Sequence, residues 1–287
     1  TMKWRRDARD KRHFIIMSAV AALVLVIGLF FDQNGEQAVE TSGTQTVTVR
    51  EGAVTDAAVM AAPISESAVQ AAATPSPEDG IYTYLQGPKS WKERREWSGK
   101  WGKTFYDGQS FGAFGCGFCC MANIYSSLTE YQCLPTDIYR YAKKVTYYPG
   151  GGAISWEQMQ ATLNSIGFET SLHHKPSTYK QFLKQVQEGR ASLVLVSSAN
   201  DSSYWKNTPG HYVTLFLYDK TDNTVFLADS GDPEHNRHRV SCKTIYKALK
   251  TSSDYHFMSI DSYNKEKDQW KHKGIKGNWV RPQTLED

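Results

Sequence analysis

The chain has 287 residues, a formal net charge of only +3 and 22% charged side chains. That length holds one large domain or two small ones. The modest charge, with no basic stripe interleaved with aromatics through the folded part, excludes nucleic acid as the main partner. No GxxxxGK[ST] phosphate cradle occurs either.

The charge is unevenly spread. Residues 1–13 carry Lys3, Arg5, Arg6, Arg9, Lys11 and Arg12 against Asp7 and Asp10, a cytoplasmic basic flank. Residues 14–31 read FIIMSAVAALVLVIGLFF without a charge. A run of about 18 apolar residues is just long enough to cross a hydrocarbon core as a helix. Basic residues precede it and acidic ones follow, so the rest of the chain is expected outside the cytoplasm, at the cell membrane. A cleaved signal peptide needs a shorter apolar core, about 7–15 residues, and a small-x-small site. The run instead ends Leu29-Phe30-Phe31-Asp32, which favours an uncleaved, single-pass signal anchor.

Residues 32–80 hold no aromatic, a single basic residue (Arg50), and Pro63, Pro75 and Pro77. Nothing there could bury a core, so the segment reads as a disordered linker, with a mean reach of about 40 Å. From Ile81 aromatics become dense (Tyr82, Tyr84, Trp91, Trp97, Trp101, Phe105, Tyr106), marking a folded domain over 81–263. Residues 264–287 form a charged C-terminal tail carrying Trp270 and Trp279.

Within the domain the elements follow in order. Cys116 to Leu128 is apolar and proline-free after a Gly-rich approach, which predicts a largely buried helix. Pro135 stands at the first position of a second helix, PTDIYRYAKK. Ser155 caps a third, with Gln158 completing a capping box and Gly167 ending it. Ser177 to Glu188 is a fourth, ended by Gly189. The pattern then changes to strands: SLVLVS (192–197), HYVTLFLY (211–218) and TVFLAD (224–229), the last two joined as a hairpin through Asp219–Asn223. SCKTIYKALK (241–250) is a helix and HFMSI (256–260) a final strand. Helices first and an antiparallel sheet after them predict an α+β fold.

The chemistry concentrates in GAFGCGFCC, residues 112–120, which holds three of the five cysteines. An odd count leaves at least one thiol without an intramolecular partner, and a domain of this size needs no disulfide framework. Cys116-x-x-Cys119 has the spacing of half a zinc site, but no second pair completes it: Cys133 and Cys242 stand alone, and His235 and His238 lie in a loop far along the chain. A redox CxxC is disfavoured by Cys120 and by the lack of a preceding βα unit. A catalytic thiol is the sharper reading. Cys116 opens the predicted helix, where free N–H groups and the helix dipole favour a thiolate. Gly115 and Gly117 flank it and let a substrate approach. Cys119 and Cys120, one turn further in, look like small core fillers.

A thiolate needs a base and a group that orients the base. Among the eight histidines, His211 follows Pro209-Gly210 and opens an apolar strand at a sheet edge. Asp229 closes the next strand, so the hairpin puts both at the same end. A hairpin with a chance His and Asp at its end is the bland alternative.

Gly115-Cys116-Gly117 opening a helix, Gly210-His211 opening a strand and Asp229 closing the next resemble the double-glycine-leader, or bacteriocin-processing, type of papain-like cysteine peptidase. The resemblance covers roughly residues 102–260, and GGGAISW (150–156) resembles a segment such relatives carry between nucleophile and histidine. It implies a papain-like fold, Cys116 as nucleophile, His211 as general base, Asp229 as orienter, and Gln109 as a second oxyanion donor beside the Cys116 N–H. Two departures stand out. Phe118 and Cys119 replace the proline and small hydroxyl residue usual after Gly-Cys-Gly. The exporter fused to bacteriocin-processing members has no counterpart here, so a double-glycine leader is not inherited as substrate.

The expected activity is hydrolysis of peptide or related amide bonds in a peptide or protein substrate, without cofactor or metal. Three alternatives use the same features: a transpeptidase or transglutaminase-like enzyme, a cell-wall peptide hydrolase whose basic tail contacts the wall, and a non-catalytic peptide- or glycan-binding module.

Overall fold

The computed structural model describes residues 76–86 and 105–273. The basic flank, the apolar run 14–31, most of the linker, Trp91, Trp97, Trp101 and the tail from residue 274 lie outside the described residues. The chain divides into two compact units, Thr1–Val69 and Gln70–Asp287, and all of the described residues belong to the second. Among the described residues no helix is long and apolar enough to cross a membrane.

Among the described residues of the second unit the first element is a one-turn 3-10 helix, Pro77–Gly80, capped by Ser76. These residues, expected in the linker, are tied to the domain: Arg237 donates to the carbonyls of Glu78 and Ile81, and Arg239 to the Glu78 carboxylate. Residues 81–86 continue as an extended strap. Its Tyr82 and Tyr84 N–H groups donate to Ser127 and Asn123 side chains, and its Gln86 N–H to the Ser230 carbonyl.

A two-stranded ribbon follows, β1 (Phe105–Tyr106) and β2 (Gln109–Ser110), then the short α1 (Phe111–Phe114). Next come α2 (Cys116–Leu128), α3 (Pro135–Val145) and α4 (Trp156–Ser165). The local signals explain these bounds. Pro135 occupies the first position of α3, and the Asp137 carboxylate accepts from the Leu134 N–H. Ser155 and Gln158 exchange the two hydrogen bonds of a capping box at the head of α4. Helix α2 is buried from Gly117 to Ser126. That accounts for its nearly continuous apolar sequence, since a helix covered on all sides has no solvated stripe.

The second half is a six-stranded sheet in the order β3-β8-β4-β5-β6-β7, antiparallel throughout. Its strands are β3 (Ile166–His173), β4 (Ala191–Val196), β5 (His211–Asp219), β6 (Thr224–Ala228), β7 (Arg239–Ser241) and β8 (Phe257–Asp268), with helices α5 (Tyr179–Glu188) and α6 (Cys242–Ala248) between them. Both faces are covered. Leu193, Leu195, Tyr212 and Phe216 join the core containing α2–α4, whereas Val194, Val196, Val213 and Leu215 join one built with Phe182 of α5 and Ile245 of α6. Alternate side chains of one strand thus enter two cores, which is why SLVLVS shows no polar alternation. The mixed helix and antiparallel sheet make this an α+β fold.

Two boundaries and two strands differ from expectation. Helix α4 stops at Ser165, and Gly167 enters β3 with φ +88° at a register shift against β8. Strands β3 and β7 carry too little apolar alternation to be read from sequence. Strand β8 runs on to Asp268 instead of ending near 260, because the Asp268 carboxylate accepts from the Tyr125 and Tyr263 hydroxyls and from the Trp270 and Lys271 N–H groups.

The glycine loop before α4 clasps the ribbon turn. Gly151 has φ +64°, and a Cβ there would collide with the Asp107 carbonyl. Gly151→Ala meets both backbone strain and a clash with main-chain atoms that cannot rotate away. It is expected to destabilise the fold by about 2 kcal/mol or more, read as a lowered urea midpoint with an unchanged slope.

Candidate active site

Helix α1 closes its last turn with the Gly115 N–H donating to the Phe111 carbonyl, and Cys116 is the first residue of α2. The first N–H groups of a helix have no partners within it, so this thiol stands at the positive end of a 13-residue helix. Cys116 remains partly exposed, whereas Cys119, Cys120, Cys133 and Cys242 are buried, and all five are free thiols. Gly117 fits closely: a Cβ there would lie 2.7 Å from Ile154 and 3.1 Å from the Met159 sulfur. The GGGAISW segment thereby forms a wall beside the thiol, and Trp156 packs edge-on against Tyr212 at 5.0 Å.

His211 opens β5 and pairs with Val196 at the end of β4. Its Nε2 lies 2.7 Å from Asp229 Oδ1. That leaves Nδ1 on the side of the ring away from Asp229, and Cys116 lies close enough to His211 for each to shift the other's pKa. Asp229 follows the last residue of β6, with its side chain only 1% exposed. Gly231 N–H donates to the same Oδ1 at 3.0 Å, and Trp205 Nε1–H donates to Oδ2 at 2.9 Å. Helix α2, strand β5 and the end of β6 therefore bring Cys116, His211 and Asp229 together. A family model described as the Peptidase_C39 like family matches residues 109–255, a span that includes all three.

The chain belongs to the Peptidase_C39-like family. The match covers just over half of the chain, and no curated protein matches it. The family is one of peptidases, which implies thiol-dependent hydrolysis of peptides or proteins.

The charges in this Peptidase_C39-like site are coupled. Burial opposes ionisation of Cys116, but the hydrogen bond and charge of His211, with backbone hydrogen bonds from Tyr212 and Gly117, outweigh it and lower the thiol pKa. Burial likewise disfavours the His211 cation, yet the Asp229 carboxylate and the Cys116 sulfur raise its pKa. Burial would raise the Asp229 pKa, and His211, His235 and Trp205 bring it well below the usual carboxylate range instead. All three directions favour one state: thiolate, imidazolium and carboxylate in sequence. Cys119, Cys120 and Cys133 move the opposite way, each thiol raised mainly by burial.

Gln109 is exposed on β2, with α1 between it and Cys116. Another glutamine is buried near the site: Gln86 accepts from Ser230 Oγ at 2.7 Å and donates to the Gly112 carbonyl at 2.9 Å, linking the strap to the segments before Cys116 and after Asp229. Among the described residues no group of three or more His, Cys, Asp or Glu side chains is arranged to hold a metal.

Sequence reasoning missed Trp205, Gly231 and His235. Gly231 is required because a Cβ there would lie 2.9 Å from the His211 ring. Glycine two residues after the acid was the only available signal for it. Trp205 and His235 come from loops with no periodicity, and nothing in their spacing points to Asp229.

Proposed function

We propose that the protein is a membrane-anchored cysteine peptidase, with residues 14–31 as the anchor and the catalytic domain outside the cytoplasm. Cys116 is the nucleophile, His211 the general base and Asp229 the orienter. The 2.7 Å contact of His211 Nε2 with Asp229 Oδ1, with Cys116 at the start of α2 beside the same imidazole, is the observation that supports this reading. The charge pattern of the first thirty-odd residues supports the anchor.

In the reaction, His211 holds the proton that leaves Cys116. The thiolate adds to the substrate carbonyl carbon, and the π electrons move to oxygen. The Cys116 N–H, free at the helix start, donates to that oxyanion, with Gln109 as the proposed second donor. When the carbonyl re-forms, the C–N bond breaks and the amine leaves with the proton from His211. Water, deprotonated by His211, then attacks the thioester, the carboxylic acid departs and the thiol is restored.

The test is digestion of a peptide library by the full chain, read by mass spectrometry. Cleavage by the wild type, with an acyl-enzyme adduct on Cys116 in the intact-mass spectrum, is the expected result. Cleavage that persists in Cys116→Ala would exclude the reading.

A further inference from the structure

We infer that His235 is a positioning residue, which fixes the second oxygen of the Asp229 carboxylate so that the first stays turned toward His211. The inference rests on the cysteine-peptidase reading of the site.

The Asp229 carboxylate has two ends. Oδ1 takes His211 Nε2 and the Gly231 N–H. Oδ2 takes the Trp205 indole N–H at 2.9 Å and faces His235 Nδ1 at 3.4 Å. This Nδ1 is buried and has no aligned hydrogen bond, so its influence on the carboxylate is electrostatic rather than that of a well-formed hydrogen bond. A buried polar atom left in that condition is uncommon and asks for a reason. Among the described residues its other close acid is Asp232, 3.9 Å away and on the same loop.

The ring is held where it is. It stacks on Tyr204 with centroids 4.2 Å apart. The next residue, Asn236, accepts from the Asp229 N–H and donates to the Thr83 carbonyl, pinning the loop between the acid and the N-terminal strap. Tyr204 and Trp205 are neighbours in the loop before β5, so one loop supplies both the indole donor and the platform for the second imidazole. Asp229 is thus gripped from β5, from the loop before it and from the loop after β6.

The groups that face this carboxylate are His211 from β5, with Cys116 behind it on α2; Cys120 beneath, also on α2; Tyr204 and Trp205; and His235 with Asp232. The polar edge of this ring beside Oδ2 offsets part of the negative charge that would otherwise act on His211. Removing it leaves more negative charge close to both His211 and Cys116. The imidazolium then survives to higher pH and the thiol ionises at higher pH, so both limbs of the profile move toward alkali.

The experiment measures the rate of Cys116 alkylation by iodoacetamide against pH, and kcat and KM on a cleaved peptide, in the full chain and in His235→Phe and His235→Gln. Phenylalanine keeps the stack on Tyr204 and removes the polar atom, whereas glutamine keeps an N–H. We expect His235→Phe to move the alkylation profile up by about half a pH unit and to lower kcat by about three- to ten-fold with KM unchanged. His235→Gln should recover most of both. An unmoved alkylation profile in His235→Phe overturns the inference. So does a kcat loss that glutamine fails to rescue while the profile stays in place, since that is a packing defect. Alkylation reads the thiolate without needing a substrate. A shifted profile in a protein that cleaves no peptide would therefore sustain the role of His235 and overturn the peptidase reading alone.

Discussion

Replacing Cys116 with alanine is expected to lower kcat/KM for peptide cleavage by about ten-thousand-fold or more, the scale seen when the nucleophile of a coupled triad is removed. The size follows from there being no substitute. Cys119 lies one helical turn away but is fully buried, and its thiol is raised well above the ordinary value by that burial. It neither reaches solvent nor ionises. Cys116→Ser should fare little better, because a hydroxyl cannot form the ion pair with His211 that gives the thiolate. Binding should survive in both variants, so KM changes little and the loss falls on kcat. The fold should survive too: His211 keeps its 2.7 Å contact with Asp229. Cys119→Ala serves as the contrast. It vacates a little core volume, costs about 1 kcal/mol, and leaves kcat within a few-fold of the wild type. Steady-state kinetics on one peptide, with thermal melts of each variant, separate these outcomes.

How much of the site could be read from sequence depended on how local the determinants were. Helix α2 was legible to the residue because its start is marked by glycines and its length by an uninterrupted apolar run. The hairpin was legible because β5 and β6 are dense in β-branched and aromatic residues, with a short polar loop between them. Once both were placed, the positions of His211 and Asp229 at one end followed from strand pairing. What surrounds Asp229 was not legible. Trp205 reaches it from a loop of turns, His235 from a second loop, and the strap 81–86 braces that loop from more than a hundred residues upstream. Such contacts are set by tertiary packing and leave no period in the chain. Likewise β3 looks polar because beyond Phe168 its side chains are exposed or only part-buried, so only its pairing with β8 defines it. The two cores show the reverse case. The strands between them look uniformly apolar, and the alternation becomes visible only when each residue is assigned to a face.

Asp229→Asn is expected to be nearly as damaging to activity as loss of the nucleophile, and more damaging to stability. Three N–H groups converge on this carboxylate, and His235 Nδ1 lies 3.4 Å from its second oxygen. An amide offers one acceptor oxygen and one NH2 group. If the oxygen faces Trp205, the NH2 faces His211, and Nε2 must then accept. The ring proton moves to Nδ1, which becomes a donor toward Cys116 and can no longer take its proton. If the oxygen faces His211, the NH2 opposes the buried indole N–H, and two donors are left without an acceptor. The first arrangement switches off the base, and a wrong tautomer of this kind costs about ten-thousand-fold in kcat in a comparable triad. The second leaves unmatched polar groups in the core. Breaking a buried pair by removing one charge typically costs about 3–5 kcal/mol. The stability loss should also depend on pH in a defined way. The Asp229 pKa is depressed in the folded state, so its contribution is present above the ordinary carboxylate value of about 4 and fades as pH falls through the folded value. The His211 pKa is raised, so its contribution is complete below about 6.5 and is lost as pH rises through the folded value. The difference in melting temperature between wild type and Asp229→Asn should therefore be greatest between about pH 4 and 6.5 and narrow on both sides. A difference that keeps growing into alkali would mean that the imidazolium–carboxylate pair is not the source of the stability, and that His211 is held neutral by its neighbours.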